Sequence, residues 1–369
     1  MNRIAAIILA LGIFLSGCGK QVINPTPTVI AVPPTASSTI IPSPSPTPAP
    51  TFTATATLLP KPVFYTNPQA YQVEYSVRVV NGSFTLTDLR LYQPRLVEWD
   101  SQKNVQEVSV SPAVSQASTD PVYGNGIYYW HLAGQPKPGG FVDFVFQAKV
   151  TVYEILTQIN PDALMPYKVD DPAYALYTRP EKYIESDDAQ IVDLANKIAG
   201  DEKNPYRLAR KFYDTILQTV HLNITGQGLN GALSTLQKGN GEAGDYAALF
   251  VALCRARGIP ARPVVGYLAL AGLDQTTVWA EFFVEPFGWI PVDPVSGQQN
   301  LPLRDYYFGN LDNGRIITNK GYNVPLVPAS PDKVPVAYLQ VPFYWFWGSA
   351  GQSDTVSMFR NTWMVQKIP

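Results

Sequence analysis

Residues 239–267 read G-N-G-E-A-G-D-Y-A-A-L-F-V-A-L-C-R-A-R-G-I-P-A-R-P-V-V-G-Y, and residues 277–294 read T-V-W-A-E-F-F-V-E-P-F-G-W-I-P-V-D-P. The apolar run Tyr246–Leu253 predicts a helix over 243–256. Gly258 ends it, and Ile259-Pro260 forces a turn. Strands are expected over Arg262–Leu268, Thr277–Val284 and Trp289–Val292. Asp245 stands in the first helical turn, where its charge complements the macrodipole.

Helices are also expected upstream. Asp187 with Gln190 three residues on reads as a capping box, followed by Ile191, Leu194, Ala195 and Ile198 at helical spacing, with Gly200 as the stop. Asn204-Pro205 supplies a cap and a first helical position. Leu208, Phe212, Ile216 and Val220 make the buried stripe of that second helix. A short helix is expected over 232–237.

The quoted segments resemble the core of the transglutaminase-like superfamily, the papain-related cysteine enzymes. That family carries Cys within G-x-G-(D/E)-C-G-(D/E)-(Y/F)-A, His at the start of H-(A/V)-W-x-E, and Asp in a closing V-D-P. Here those positions hold Ala243, Thr277 and Asp293. The resemblance spans roughly 185–295. It implies an α+β fold with a papain-like transglutaminase core, in which a central helix packs on an antiparallel sheet. It also implies that no catalytic residues are to be expected. Acyl transfer needs a thiolate, a base and a group that orients the base. A methyl group cannot attack a carbonyl, and a threonine hydroxyl is no general base near neutral pH. In triad hydrolases, loss of the nucleophile or the base alone costs about a millionfold.

A displaced triad finds no support in the residue inventory. The cysteines are Cys18 and Cys254, the histidines His131 and His221. No histidine follows 221. Cys254 lies about 16 Å along the helix that starts at Ala243, on a face expected in the core. In the family arrangement Trp279 and Trp289 would flank the old groove; the other reading of both is core packing. With Glu242, Asp245 and Glu281 they are the candidate cleft-binding residues. Arg262 is expected to pair with a carboxylate or bind carbonyls, and Asp293 to bond Thr277 or backbone.

Residues 1–18 read as a bacterial lipoprotein signal. Arg3 is followed by the apolar stretch Ile4–Phe14 and by Leu15-Ser16-Gly17-Cys18, a lipobox that makes Cys18 the lipid-attachment site. Membrane lipid is thus an expected partner, on the outer face of a bacterial membrane. Cys254 would then have no disulfide partner. Residues 19–61 form a Pro/Thr/Ser-rich disordered tether, about 130 Å long if extended.

A β-sandwich domain is expected over 62–160, the transglutaminase-like domain over 161–300, and an aromatic-rich extension packing on both over 301–369. Within the first, Tyr71, Val73, Tyr75, Val77 and Val79 alternate with polar residues, and Asn81-Gly82 reads as a hairpin turn. Residues 156–185 read as an irregular connector. In Phe343–Trp347, strand geometry puts Phe343, Trp345 and Trp347 on one side and Tyr344 and Phe346 on the other. These rings either seal the sandwich or offer a platform for sugars.

Formal charges nearly cancel, with 27 Lys and Arg against 29 Asp and Glu, and no basic stripe stands out. This argues against nucleic acid as a partner. No metal site and no cofactor are expected. Three functions stay open. The first is a lipoprotein whose degenerate groove binds peptide, protein or envelope glycan. The second is a structural scaffold. The third is an enzyme with an altered mechanism, working through Glu242 or Asp245 with Asp293.

Overall fold

The computed structural model describes residues 62–369 apart from 227, 270–274, 350–354 and 362. The expected signal, Cys18 and the tether lie outside the described residues. No helix among the described residues is long and apolar enough to cross a membrane.

The first half is a two-sheet β-sandwich. Its strands are β1 (Val63–Asn81), β2 (Leu86–Arg95), β3 (Gln102–Ser111), β4 (Gln116–Thr119), β5 (Gly126–Ala133) and β6 (Phe141–Thr157). The period-2 pattern of β1 buries Tyr71, Val73, Tyr75, Val77 and Val79 on one face. Asn81 does not turn a hairpin as expected, because β1 and β2 belong to different sheets. Its buried amide instead bonds the Phe84 and Pro136 carbonyls at 2.6 and 2.8 Å, fixing the crossing between sheets.

Both sheets are completed by the tail. β13 (Phe343–Gly348) adds to β2, while β14 (Val356–Arg360) and β15 (Met364–Ile368) lie end to end along β1. The sandwich therefore reaches past the expected 62–160. Trp363, between the last two strands, is buried and stacks on Tyr75 with ring centres 4.8 Å apart. Burying such a side chain contributes about 1.5–3 kcal/mol. The aromatic run splits as its alternation requires. Tyr344 and Phe346 pack on the main sandwich core, and Phe343 and Trp345 on a smaller cluster around Tyr92.

The second layer is helical. α1 (Pro172–Thr178) lies inside the expected irregular connector. There Asp171 caps it by accepting from the Ala173 N–H, with Pro172 at the first helical position. α2 (Ala189–Ala199) is capped by Asp188 rather than Asp187, because Asp188 is the residue that accepts from the Gln190 N–H. α3 (Pro205–Thr219) follows Asn204, whose side chain takes the Tyr206 and Arg207 N–H groups. Leu208, Phe212 and Ile216 form its buried face. A short parallel pair, β7 (His221–Leu222) and β8 (Asn240–Gly241), brackets α4 (Ala232–Lys238).

α5 (Ala243–Ala256) is buried from Asp245 to Arg255. It packs on an antiparallel sheet of order β11-β10-β9-β12. These strands are β9 (Ala261–Leu268), β10 (Gln275–Val284), β11 (Gly288–Val292) and, from the tail, β12 (Arg315–Lys320). Gly266 allows β12 to come close, since a Cβ there would stand 2.1 Å from the Ile316 carbonyl oxygen. The opposite face of the sheet meets the sandwich. Tyr267 and Ile316 join the sandwich core, and Val264, Trp279 and Ile317 cluster with Ile155 and Leu311. α6 (Pro294–Gln299) follows β11.

Candidate functional site

The N-terminus of α5 opens onto a cavity of about 440 Å³. Glu242 precedes the helix in extended conformation. Its carboxylate accepts from the Thr225 N–H, the Thr225 hydroxyl and the Gly226 N–H at 2.7–2.9 Å. Asp245, 1% exposed, accepts from the Asn230, Gly231 and Glu242 N–H groups at 2.8–3.1 Å. Both carboxylates border the cavity. Their lone pairs hold the segments 225–226 and 230–231 over the helix end, which leaves them poorly placed for acid–base work.

Ala243 and Thr277 face this same cavity, with Gly244, Ser296, Tyr338 and Gln340 also on its wall. Thr277 is 7% exposed, and its hydroxyl has no hydrogen-bond partner among the described residues. Its carbonyl accepts from Gln340 Nε2 at 3.2 Å. Tyr322 Oη donates to the Gly244 carbonyl at 2.7 Å, so the stretch 322–340 straps one side of the cavity.

Asp293 stands behind the wall, fully buried, as the cap of α6. It accepts from the Ser296 N–H at 2.8 Å, the Ser296 hydroxyl at 2.7 Å and Arg315 Nη1 at 2.5 Å. Of the two expected partners, Thr277 and backbone, Asp293 takes backbone, the Ser296 N–H, and β12 adds an ion pair by delivering Arg315 to the carboxylate. Arg315 also reaches Asp312 at 3.1 Å and lies over the Trp279 ring, 5.6 Å from its centre.

Trp279, Glu281 and Trp289 do not line this cavity, contrary to expectation. Along β10, Val278, Ala280 and Phe282 pack in the core around α5. The alternate positions 279 and 281 therefore point away from that core. Trp279 is buried against Ile155, Leu311 and Ile317. Glu281 is buried between Arg262 at 2.8 Å and Lys320 at 3.0 Å. Trp289 stacks under Arg262, 3.8 Å from guanidinium to ring centre, and borders a different cavity. The pairing expected of Arg262 is thus with Glu281.

One carboxylate serving two buried cations leaves a positive charge unmatched. Arginine does not give up its proton in proteins. Lys320 therefore yields. Burial first, and then Arg262, lower its pKa to about 8. Burial alone would raise the Glu281 pKa, but Lys320 and Arg262 hold it below its ordinary value. Between pH 8 and 10 the Lys320 site thus holds less of its proton in the folded protein than in the unfolded chain, where a lysine titrates near 10.4. Buried tyrosines, whose pKa values are raised, act in the opposite direction in both proteins. The stability of the wild type relative to Lys320→Met should therefore rise by about 2 kcal/mol across that window. Urea unfolding at pH 8, 9 and 10 checks this, and parallel curves for the two proteins would contradict it.

Neither Cys254 nor His131 lines the cavity. Cys254 is fully buried, and burial pushes its thiol pKa well up. His131 is paired with Asp88 at 2.7 Å on the sandwich. No cluster of three His, Cys, Asp or Glu side chains suits a metal among the described residues. The sequence reading missed Arg315, Lys320, Tyr338 and Gln340, all from the tail.

Residues 192–294 match the family model of the transglutaminase-like superfamily, so the chain carries a transglutaminase-like domain. A Cytophaga hutchinsonii protein assigned provisionally to the cysteine proteases shares the fold. It superposes with a TM-score of 0.57 at 19% identity, over 83% of this chain and 92% of that one. The periplasmic domain of TgpA from Pseudomonas aeruginosa aligns at TM-score 0.35 and 15% identity, over 64% of this chain and 90% of that one. An uncharacterized Haemophilus influenzae protein is 23% identical over 253 residues, 58% of this chain and 67% of that protein.

Proposed function

We propose that the protein is an extracytoplasmic lipoprotein, anchored through Cys18, whose transglutaminase-like domain binds a ligand without cutting it. The ligand is a peptide, a protein segment or an envelope glycan, held in the cavity at the α5 N-terminus. One observation carries this reading. A cavity of about 440 Å³ is lined by Ala243 and Thr277, the two positions at which the family resemblance would put nucleophile and base. A scaffold with a filled groove would have no such space. An altered enzyme would need two facing carboxylates with separated roles. Here Asp245 is tied to backbone N–H groups and Asp293 to Arg315.

Affinity capture from envelope extracts tests the binding claim. The full chain should retain partners that a Thr277→Trp chain, its cavity filled, does not. Peptidoglycan fragments serve as competitors. Equal capture by both chains would remove the cavity from the account. Peptidase or amidase activity lost in Asp293→Asn would revive the enzyme.

The missing chemistry can be tested by restoring it. The Ala243→Cys, Thr277→His protein should present a thiol at a helix N-terminus beside an imidazole, titrating below about 7.5 rather than near 8.5. Iodoacetamide reaction rates against pH measure this. Turnover of peptide substrates should stay absent, because Arg315 occupies the carboxylate that would orient the imidazole. A thiol of ordinary pKa would mean that the two positions no longer face each other.

A further inference from the structure

A second cavity of about 440 Å³ opens beside Pro260, just past the C-terminal end of α5. At 1.5 Å per residue it stands about 20 Å along the helix from Ala243. Its walls are aromatic. Trp289 is set nearly upright to Tyr177 (81°, ring centres 4.9 Å apart) and steeply to Phe283 (69°, 5.5 Å). Tyr167 and Tyr174 form another wall, 5.6 Å between centres. These five rings line one half-open cavity in several orientations, unlike the flat platform on which a sugar ring stacks.

The phenol groups are committed to the protein. Tyr167 Oη donates to the Phe283 carbonyl at 2.8 Å and Tyr174 Oη to the Gly258 carbonyl at 3.1 Å. Tyr177 Oη accepts from Arg262 Nη1 at 3.2 Å. The rings are held in place, with the Tyr167 and Tyr174 protons donated to carbonyls and the Tyr177 oxygen taken by Arg262.

Two carboxylates border the cavity, Asp171 and Glu285. Glu285 has 17% of its side chain exposed, and its ion-pair partner Lys168 at 3.2 Å is 76% exposed. So exposed a partner contributes little and is readily displaced. The wall thus offers ring faces and carboxylates. Against these its charged donor is that one mobile ammonium. An anion or a carbonyl-rich chain would find little to bind, whereas a cation would find π faces and negative charge together. Arg262 already lies over Trp289, but it is paired with Glu281 and does not line the cavity.

We propose that this cavity is a binding site, separate from the α5 cleft, for an organic cation of the alkylammonium class, the size of choline or a lysine side chain. The proposal does not rest on the reading of the cleft. Titration calorimetry of the full chain with choline chloride and with its uncharged isostere 3,3-dimethylbutan-1-ol tests it. Choline should bind saturably, and the isostere at least about tenfold more weakly. Glu285→Gln should weaken choline by about tenfold and leave the isostere unchanged. Asp171→Asn keeps the α1 cap and should act in the same direction, which guards against a folding defect in either variant. Magnetisation transfer from aromatic ring protons to the choline methyl groups should place the ligand in this cavity. Equal binding of the isostere would reduce the cavity to an apolar hollow. Binding of a methyl glycoside or an oligoproline peptide in preference to choline, or no saturation by any of them, would overturn the assignment.

Discussion

Replacing Arg315 with methionine is expected to lower the unfolding free energy by about 3–5 kcal/mol, the usual consequence of stranding one member of a buried ion pair. Asp293 is fully buried, and 3% of the Arg315 side chain is exposed, so water can replace neither. Asp293 would keep its two Ser296 bonds, which cap α6 but supply no positive charge. Adding Asp293→Asn should recover much of the loss, since a neutral amide can still cap the helix. Urea denaturation of the wild type, both single variants and the double variant measures the coupling. A loss below about 1 kcal/mol for Arg315→Met would mean that the pair is solvated, contrary to its burial here.

Glu281→Gln should be similarly damaging, again by about 3–5 kcal/mol. It removes the carboxylate that Arg262 and Lys320 share, inside a region where Arg262 is itself stacked on Trp289. Lysine can answer by releasing its proton, but arginine cannot. The residual penalty should therefore fall mainly on Arg262. Combining Glu281→Gln with Lys320→Met should be little worse than Glu281→Gln alone. Strict additivity of the two losses would show that Lys320 stays charged in the single variant.

What could be read beforehand depended on range along the chain. α5 and its sheet were visible in 239–294 because each element is written locally, as an apolar run, a Gly-Ile-Pro break and alternating strands. That Ala243 and Thr277 share one wall was implied by the family resemblance and by no local pattern. Trp279 and Glu281 were misplaced although the information was present. Positions 278, 280 and 282 carry the face toward α5, so 279 and 281 had to take the other. Their partners were out of reach. Arg315 lies 22 residues beyond Asp293 and Lys320 lies 39 beyond Glu281, and no local pattern announces either. Tyr338 and Gln340 arrive at the cavity only because the tail doubles back over β9. The aromatic run that becomes β13 was likewise legible, but not as part of a sandwich that begins at residue 63, and β14 and β15 were not read at all.

That last pairing has a bearing on biogenesis. β1 waits for residues 356–368, nearly three hundred positions later, before its outer edge is occupied. Contacts of such separation form slowly. Removing residues 356–368 would bare the flank of β1 to other chains, a defect far along the chain from its cause.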